Sequence, residues 1–197
     1  MTQKNILILD TSTKSQIVIF SRNHQIKTLQ QKLFCKDYVA TIIPLIDKVL
    51  QANKVTLKEI DTLIVGVGPG SYTGSRVAVL TAKMLSLSLQ VPLYRISSLL
   101  LLSSGYDFSS LTPLIDARNN SSFALSLKNN QICLKEDRYE LPFLQTFPNH
   151  LLITPETIKI SLPCVYQLMT KVSNPHLLVP NYLLQTQAQR NLKKDNS

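Results

Sequence analysis

The sequence predicts an α/β protein with two lobes, and this prediction rests on a repeated unit and on a glycine-rich turn between a strand and a helix. An apolar strand that ends in Asp10 is followed by a polar turn and a second apolar strand. Residues 112–127 repeat this order, with Asp116 at the end of the first strand. Because internal self-similarity indicates duplication, we expect an N-terminal lobe at residues 1–104 and a smaller, reduced lobe at residues 111–197.

The N-terminal lobe begins as an antiparallel meander, because residues 25–31 add a third strand to the first two. Apolar side chains recur at helical spacing over residues 38–51, and Pro44 within them should kink that helix. Residues 56–59 have the form of a capping box and precede an apolar strand at residues 62–67. Strands and helices therefore alternate, as they do in α/β folds.

Helical spacing returns over residues 73–90, and residues 93–96 form a short strand before a helix at residues 99–102. A polar stretch at residues 103–110 is the predicted linker between the lobes. The pattern then weakens. The remaining predictions are strands at residues 131–134 and 151–154 and a mixed or helical segment at residues 155–168.

Residues 66–74 hold four of the five glycines of the chain and join a strand to a helix. The phosphate loop of nucleotide hydrolases would need a lysine before the hydroxyl residue, whereas Gly74 is followed directly by Ser75. The dinucleotide pattern would need its third glycine where Ser71 or Thr73 stands. We therefore predict a structural turn, sharpened by glycine and stiffened by proline. Its residues are Gly66, Gly68, Pro69 and Gly70.

Small residues follow one line along the helix after this turn. Gly74, Ala78, Ala82 and Ser86 stand four positions apart. Such a ridge lets another backbone approach closely. Two interpretations stay open at this point: the ridge packs against the protein's own sheet, or it contacts a helix of another chain.

The net charge of +9 would suit a nucleic-acid partner, but its distribution fits a solvated basic surface equally well. Residues 1–110 carry 12 basic and 6 acidic side chains, and residues 111–197 carry 9 and 6. No apolar run approaches the roughly 18 residues of a membrane span. Asp10 interrupts the N-terminal apolar stretch before it could act as a signal peptide, so we expect a cytoplasmic protein without membrane contact.

Cysteine and histidine are too scarce for a disulfide framework or a metal site. Cys35, Cys133 and Cys164 are far apart and odd in number. Cys35 precedes a helix, but a catalytic thiol needs a histidine partner and the chain has three histidines in all. We therefore expect neither metal ligands nor thiol catalysis.

Asp10 and Asp116 stand at equivalent strand ends of the two repeats. In the actin, hexokinase and Hsp70 ATPases, such carboxylates face a nucleotide cleft and order magnesium-bound water around the phosphates. Strand-end aspartates also form ordinary Asx-turns, so the pairing alone decides nothing. Together with the repeat it favours the two-lobed fold of those ATPases (ASKHA). The candidate nucleotide-binding residues are Asp10, Thr11, Ser12 and Asp116.

Several short motifs occur in the same order as in one protein family. They are Ile8-Leu9-Asp10-Thr11-Ser12-Thr13, Pro44-Leu45-Ile46-Asp47, Val65-Gly66-Val67-Gly68-Pro69-Gly70-Ser71-Tyr72-Thr73-Gly74-Ser75-Arg76, Pro92-Leu93 with Ser97-Ser98-Leu99, and Leu114-Ile115-Asp116-Ala117-Arg118. On these motifs the sequence resembles the TsaB (YeaZ) family of bacterial tRNA threonylcarbamoyladenosine (t6A) synthesis. The C-terminal half departs from the family pattern, with Leu184 where the closing motif often carries a basic residue.

The resemblance implies the ASKHA fold and the role of a non-catalytic subunit. Its implied partner is a TsaD-like subunit, which transfers threonylcarbamoyl to N6 of adenosine 37 in tRNAs that read codons beginning with A. A TsaE-like ATPase would join the same complex, the chain alone would form a homodimer, and contact with tRNA would be indirect. The resemblance places the interface on the helices at residues 38–51 and 73–90. The predicted interface residues are Val39, Ile42, Ile43, Ile46, Gly70, Gly74, Ala78, Ala82 and Met84.

The chain is short of the glycines that a working nucleotide cleft uses in both lobes. After the glycine turn only Gly105 remains, and Asp116 is followed by Ala117 and Arg118, whose Cβ atoms hinder close approach to a phosphate. We therefore expect no required cofactor and at most weak binding of ATP or ADP in a degenerate cleft. The alternative is a free-standing ATPase or small-molecule kinase, in which Asp10 and Asp116 would act together. A peptidase, suggested by an old glycoprotease label on relatives, would need a histidine-activated nucleophile.

Overall fold

The computed structural model describes residues 4–33 and 37–183. Cys35, Leu184 and the polar tail after Leu184 lie outside the described residues. Within the described ranges the chain is a mixed α/β protein with one six-stranded and one four-stranded sheet. The strands are β1 (Asn5–Asp10), β2 (Gln16–Arg22), β3 (Gln25–Lys32), β4 (Thr62–Gly66), β5 (Leu93–Ile96), β6 (Ser110–Asp116), β7 (Ser121–Lys128), β8 (Gln131–Glu140), β9 (His150–Leu152) and β10 (Thr170–Lys171).

The first sheet has the strand order β10-β5-β4-β1-β2-β3. β1, β4 and β5 run parallel, whereas β1, β2 and β3 form the predicted antiparallel meander. All six residues of β1 are buried, because apolar clusters cover both faces of the sheet. Parallel strands end at the same edge, so Asp10, Gly66 and Ile96 lie at the carboxyl edge of this sheet.

The second sheet has the strand order β8-β7-β6-β9. β6, β7 and β8 form an antiparallel meander, and β9 runs parallel beside β6. The first sheet has the same arrangement, in which β4 runs parallel beside the first strand of the meander. Asp116 therefore ends β6 as Asp10 ends β1.

The helices lie mainly beside the first sheet and between the two sheets. α1 (Tyr38–Ala52) continues as a single helix through Pro44, and Asp37 caps its N-terminus by accepting a hydrogen bond from the Ala40 N–H. α2 (Tyr72–Leu89) is followed by Gln90, which caps its C-terminus in the left-handed conformation. The predicted capping box at residues 56–59 is present and begins a single 3-10 turn. The α-helices are α1 (Tyr38–Ala52), α2 (Tyr72–Leu89), α3 (Ser98–Ser103), α4 (Leu141–Leu144) and α5 (Leu162–Leu168).

Two large apolar clusters form most of the core. One lies under α1 and α2 and includes Leu7, Leu9 and Val65 of the first sheet. The other includes the opposite face of β1, with Ile6 and Ile8, and reaches the second sheet through α3. Because all six residues of α3 are buried, this helix joins the two sheets into one packed body.

The structure differs from the sequence-based expectation mainly after residue 130. β8 extends to Glu140, and the segment predicted as mixed or helical at residues 155–168 contains one short helix, α5. The sequence does not predict α4 or β10, since both are too short to show a periodicity. β10 pairs with β5, so the chain returns to the first sheet near its C-terminal end. Among the described helices, none is long and apolar enough to cross a membrane.

Candidate functional site

The glycine turn packs directly against the polar turn that follows β1. A Cβ atom added to Gly66 would lie 1.8 Å from Oδ2 of Asp10, and one added to Gly74 would lie 1.8 Å from the carbonyl oxygen of Thr11. A Cβ atom at Gly70, whose φ is +151°, would lie 2.1 Å from the carbonyl oxygen of Ser12. Glycine stands at these positions because two segments of the same chain approach too closely for any side chain.

Hydrogen bonds join the same two turns. The Ser71 N–H donates to the Ser12 carbonyl at 2.6 Å, and the Thr11 hydroxyl donates to the Gly74 carbonyl at 2.5 Å. The Gly68 N–H donates to Oγ of Ser98 at 2.9 Å. The backbone donors at Gly68 and Ser71 are therefore used within the chain, whereas a phosphate-binding loop keeps such donors free for the ligand.

Asp10 is buried at the centre of this arrangement, with 1% of its surface exposed. Its Oδ1 accepts hydrogen bonds from the Ser12 N–H at 2.8 Å and the Ser12 hydroxyl at 2.7 Å. Its Oδ2 accepts one from the Ser98 hydroxyl at 2.5 Å. Burial raises the pKa of Asp10 above the ordinary value, and the hydrogen bonds from Ser98 and Ser12 oppose this rise. The carboxyl group links β1, the glycine turn and α3.

The four predicted nucleotide-binding residues do not form one site. Asp10, Thr11 and Ser12 lie together, each almost fully buried, in the turn after β1. Asp116 is exposed at the end of β6, where it accepts a hydrogen bond from the Arg118 N–H at 2.8 Å. That contact is an Asx-turn, the alternative that the sequence left open.

The small ridge of α2 faces the chain's own sheet. Ala78 and Ala82 are fully buried in the cluster that contains Leu7 and Leu9, and Gly74 is buried against Thr11. The assignment of Gly74, Ala78 and Ala82 to an interface is therefore wrong. Their small size instead lets α2 approach β1 and β4. Ile42 and Ile46 are also buried in the core, so their assignment to the interface is wrong too.

Other apolar residues of α1 and α2 face outward. The exposed fractions are 69% for Val39, 55% for Ile43, 58% for Leu80 and 63% for Met84. We call these four residues the exposed helix face. Val39, Ile43 and Met84 are among the predicted interface residues, whereas Leu80 is not. The spacing of Leu80 and Met84, one helical turn apart on the side away from the small ridge, is the signal that could have found Leu80.

Residues 178–182, called here the C-terminal segment, run beside α2. Nζ of Lys83 donates hydrogen bonds to the carbonyls of His176 at 2.9 Å and Leu178 at 3.0 Å. The ring of Tyr182 packs on that of Tyr72, with centroids 5.1 Å apart. A cavity of about 380 Å³ lies between this segment and the exposed helix face, and Val39 and Leu80 contribute to its walls.

Two of the three cysteines lie among the described residues. Cys133 and Cys164 are both unpaired. Burial raises the pKa of the Cys164 thiol, which disfavours the reactive thiolate. Within the described ranges, no group of three or more histidine, cysteine, aspartate or glutamate residues could hold a metal ion.

A family model described as "TsaD: tRNA N6-adenosine threonylcarbamoyltransferase" matches residues 25–138. The chain is 37% identical over 99 residues to the tRNA threonylcarbamoyladenosine biosynthesis protein TsaB of Buchnera aphidicola subsp. Schizaphis graminum, covering 50% of this chain and 46% of that protein. It is 30% identical over 128 residues to the protein of the same name from Haemophilus influenzae, covering 62% and 53%. The chain thus spans about half the length of these curated relatives.

A solved structure has a similar fold. It is described as an uncharacterized protein from Pseudomonas aeruginosa with similarity to peptidase YeaZ, and it superimposes with a TM-score of 0.73. The match covers 92% of this chain and 100% of that chain at 18% identity. At this identity the likeness extends to the fold alone.

Proposed function

Since this chain belongs to the family that the TsaD threonylcarbamoyltransferase model describes, and within it to the TsaB (YeaZ) proteins, we propose that it is a non-catalytic subunit. The complex that it supports adds threonylcarbamoyl to N6 of adenosine 37 in tRNAs that read codons beginning with A. The catalytic subunit of that complex is a TsaD-like protein, and this chain binds and supports it.

The observation that carries this proposal is that the chain itself fills its glycine turn. A phosphate at this turn would need free backbone donors and open space beside the glycines. Here the carbonyl oxygen of Ser12 lies 2.1 Å from the position that a Cβ of Gly70 would occupy. The hydroxyl of Ser98 accepts a hydrogen bond from the Gly68 N–H. This supports a role outside the chemical step and argues against the free-standing ATPase or kinase.

The exposed helix face is the surface that we assign to the partner. Val39, Ile43, Leu80 and Met84 expose more than half of their surface to solvent on two helices that pack against each other. Exposed apolar surface on neighbouring elements is typical of protein–protein contact sites. A TsaD-like subunit covers the face in the complex, and a second copy of this chain covers it when the partner is absent.

The remaining parts of the proposal concern the assembly around this contact. A TsaE-like ATPase joins the complex, tRNA contacts this chain only indirectly, and the work takes place in the cytoplasm. The chain needs no cofactor, although ATP or ADP would bind weakly at most. We also propose that the second sheet is a reduced copy of the first, which the shared order of meander and parallel strand supports.

Size-exclusion chromatography of the purified chain with the TsaD-like subunit from the same cell tests the proposal. We expect one joint peak whose mass exceeds that of either protein. Two separate peaks at micromolar concentrations of both proteins would contradict the partner role.

A further inference from the structure

A second cavity, of about 430 Å³, opens where both sheets meet the C-terminal segment. It shares Val179 and Pro180 with the cavity beside α2. Its other walls come from the carboxyl edge of the first sheet, from α5, β8 and β10, and from Asn181. Ligands of open α/β sheets bind at this edge, and the volume lies within the roughly 300–1,000 Å³ of small-molecule sites. Its polar wall residues are Arg95, Ser97, Glu136, Thr170 and Asn181.

Glu136 reaches this cavity from β8 of the second sheet. One carboxylate oxygen accepts a hydrogen bond from the Ser97 hydroxyl, and the other accepts one from Nδ2 of Asn181 at 2.5 Å. Both donors are neutral. Burial raises the pKa of Glu136, because the charged form has lost much of its water without gaining a cation among the described residues.

Arg95 is the cation on the walls of the same cavity. Its side chain is exposed, and within the described part of the chain it makes no ion pair with Glu136. A guanidinium stays charged at any physiological pH and binds carboxylates through two parallel hydrogen bonds. The cavity therefore presents a carboxylate and a guanidinium that do not neutralise each other.

We propose that this cavity binds a small zwitterion of the α-amino acid class. The ammonium group of the ligand pairs with Glu136 and supplies the missing cation, while its carboxylate pairs with Arg95. Ser97 and Thr170 also line the cavity, and their small polar side chains favour a ligand with a short side chain. This inference goes beyond the proposed function and does not depend on it.

A phosphorylated ligand fits these walls poorly. The carboxylate of Glu136, on the wall of this cavity, would repel phosphate oxygens. A zwitterion meets both wall charges with the opposite charge, whereas a nucleotide meets only Arg95 favourably.

Titration calorimetry with the full chain tests the proposal, with glycine, L-alanine, L-serine and L-threonine as probes. Ethylamine and acetate, each with one of the two charges, are the matched small molecules. We expect saturable binding of at least one amino acid and at least about tenfold weaker binding of ethylamine and acetate. Glu136→Gln and Arg95→Gln should each weaken amino-acid binding by about tenfold or more, because each removes one charge-assisted contact.

Lys135→Gln is the matched control, since Lys135 is an exposed charge next to Glu136 on β8, and its binding should equal that of the parent chain. Circular dichroism establishes that each variant is folded, and Arg95→Gln keeps the test decisive if Glu136→Gln unfolds. No binding by any of the four amino acids at concentrations on the order of 10 mM would overturn the proposal. So would binding that neither Glu136→Gln nor Arg95→Gln weakens.

Discussion

At the scale of single residues, the carboxyl group of Asp10 is a structural link. It accepts three hydrogen bonds from Ser12 and Ser98, and Gly66 leaves the space in which it lies. Motif spacing could predict that Gly66 belongs to a structural turn, because the lysine and glycine positions of phosphate loops are not matched. It could not predict that the turn would enclose Asp10, since the contacts of Asp10 with Gly66 and Ser98 join residues more than 50 positions apart in sequence.

The buried Asp10 predicts a pH dependence of stability. A carboxyl group whose pKa is higher in the folded chain binds more protons there, so its contribution is full below the unfolded pKa and is lost as pH rises through the folded pKa. Because burial raises the pKa of Asp10 above 3.8, the free energy of unfolding of the parent should fall relative to that of Asp10→Asn as pH rises above about 4. Urea unfolding of both proteins at a series of pH values measures this difference.

Glu136 titrates with the same sign, but it is present in both proteins and cancels in their difference. A difference that stays constant would contradict this prediction, because it would show that folding leaves the pKa of Asp10 unchanged. A difference that grows in favour of the parent with rising pH would also contradict it, because it would show that the Asp10 carboxylate is stabilised in the folded chain.

A second prediction at this scale concerns nucleotide turnover. Asp10 is buried in the turn after β1 and Asp116 lies in an exposed Asx-turn, so the two carboxylates should not act together on ATP. The isolated chain should show no ATPase activity that depends on them. Turnover of the Asp10→Asn/Asp116→Asn double variant should equal that of the parent. A loss of about tenfold, or about 1.4 kcal/mol in barrier height, would contradict this expectation.

At the scale of elements, sequence periodicity predicts two faces of α2 but does not show which of them packs against the sheet. The small ridge of Ala78 and Ala82 and the line of Leu80 and Met84 both repeat at helical spacing. Small residues fit a close helix–sheet contact as well as a helix–helix contact. The structure shows that Ala78 and Ala82 face β1 and β4, which leaves Leu80 and Met84 exposed.

Substitutions on the two faces of α2 should therefore affect different properties, the stability of the chain on one face and its association with the partner on the other. Ala78→Arg should lower the free energy of unfolding by about 4 kcal/mol or more, because it forces bulk and an unpaired charge into the core. Leu80→Glu should leave the chain folded, since Leu80 is 58% exposed, and should abolish association with the TsaD-like subunit. Thermal melting and size-exclusion chromatography measure the two effects. A folded Ala78→Arg variant, or a Leu80→Glu variant that still binds, would contradict this assignment of the faces.

At the scale of the whole molecule, the two sheets share one core around α3, and the chain returns to the first sheet through β10 and the C-terminal segment. Alternating apolar runs and polar turns predict the meander of the first sheet and the first two strands of the second, because these are local signals. The return of the chain depends on contacts such as that of the Asn181 N–H with the Val67 carbonyl, which no local pattern encodes.

The second cavity, like the return of the chain to the first sheet, cannot be predicted from local sequence patterns. Arg95, Glu136 and Asn181 lie far apart in the sequence, so their common cavity appears only in the folded chain. The exposed helix face could be predicted in part, since Val39, Ile43 and Met84 lie on helices that the family resemblance assigns to an interface.

The central claim, that this chain supports t6A formation through its exposed helix face, is tested most directly by mass spectrometry of tRNA nucleosides. The endogenous chain is depleted, and cells are supplied with the parent, with Leu80→Glu/Met84→Glu, or with Ile132→Glu. Ile132, on β8 and 53% exposed, is the matched control because it is an equally exposed apolar residue outside the exposed helix face. We predict that depletion lowers t6A in total tRNA, that the parent and Ile132→Glu restore it, and that the double variant does not. Unchanged t6A after depletion, or full restoration by the double variant, would contradict the claim.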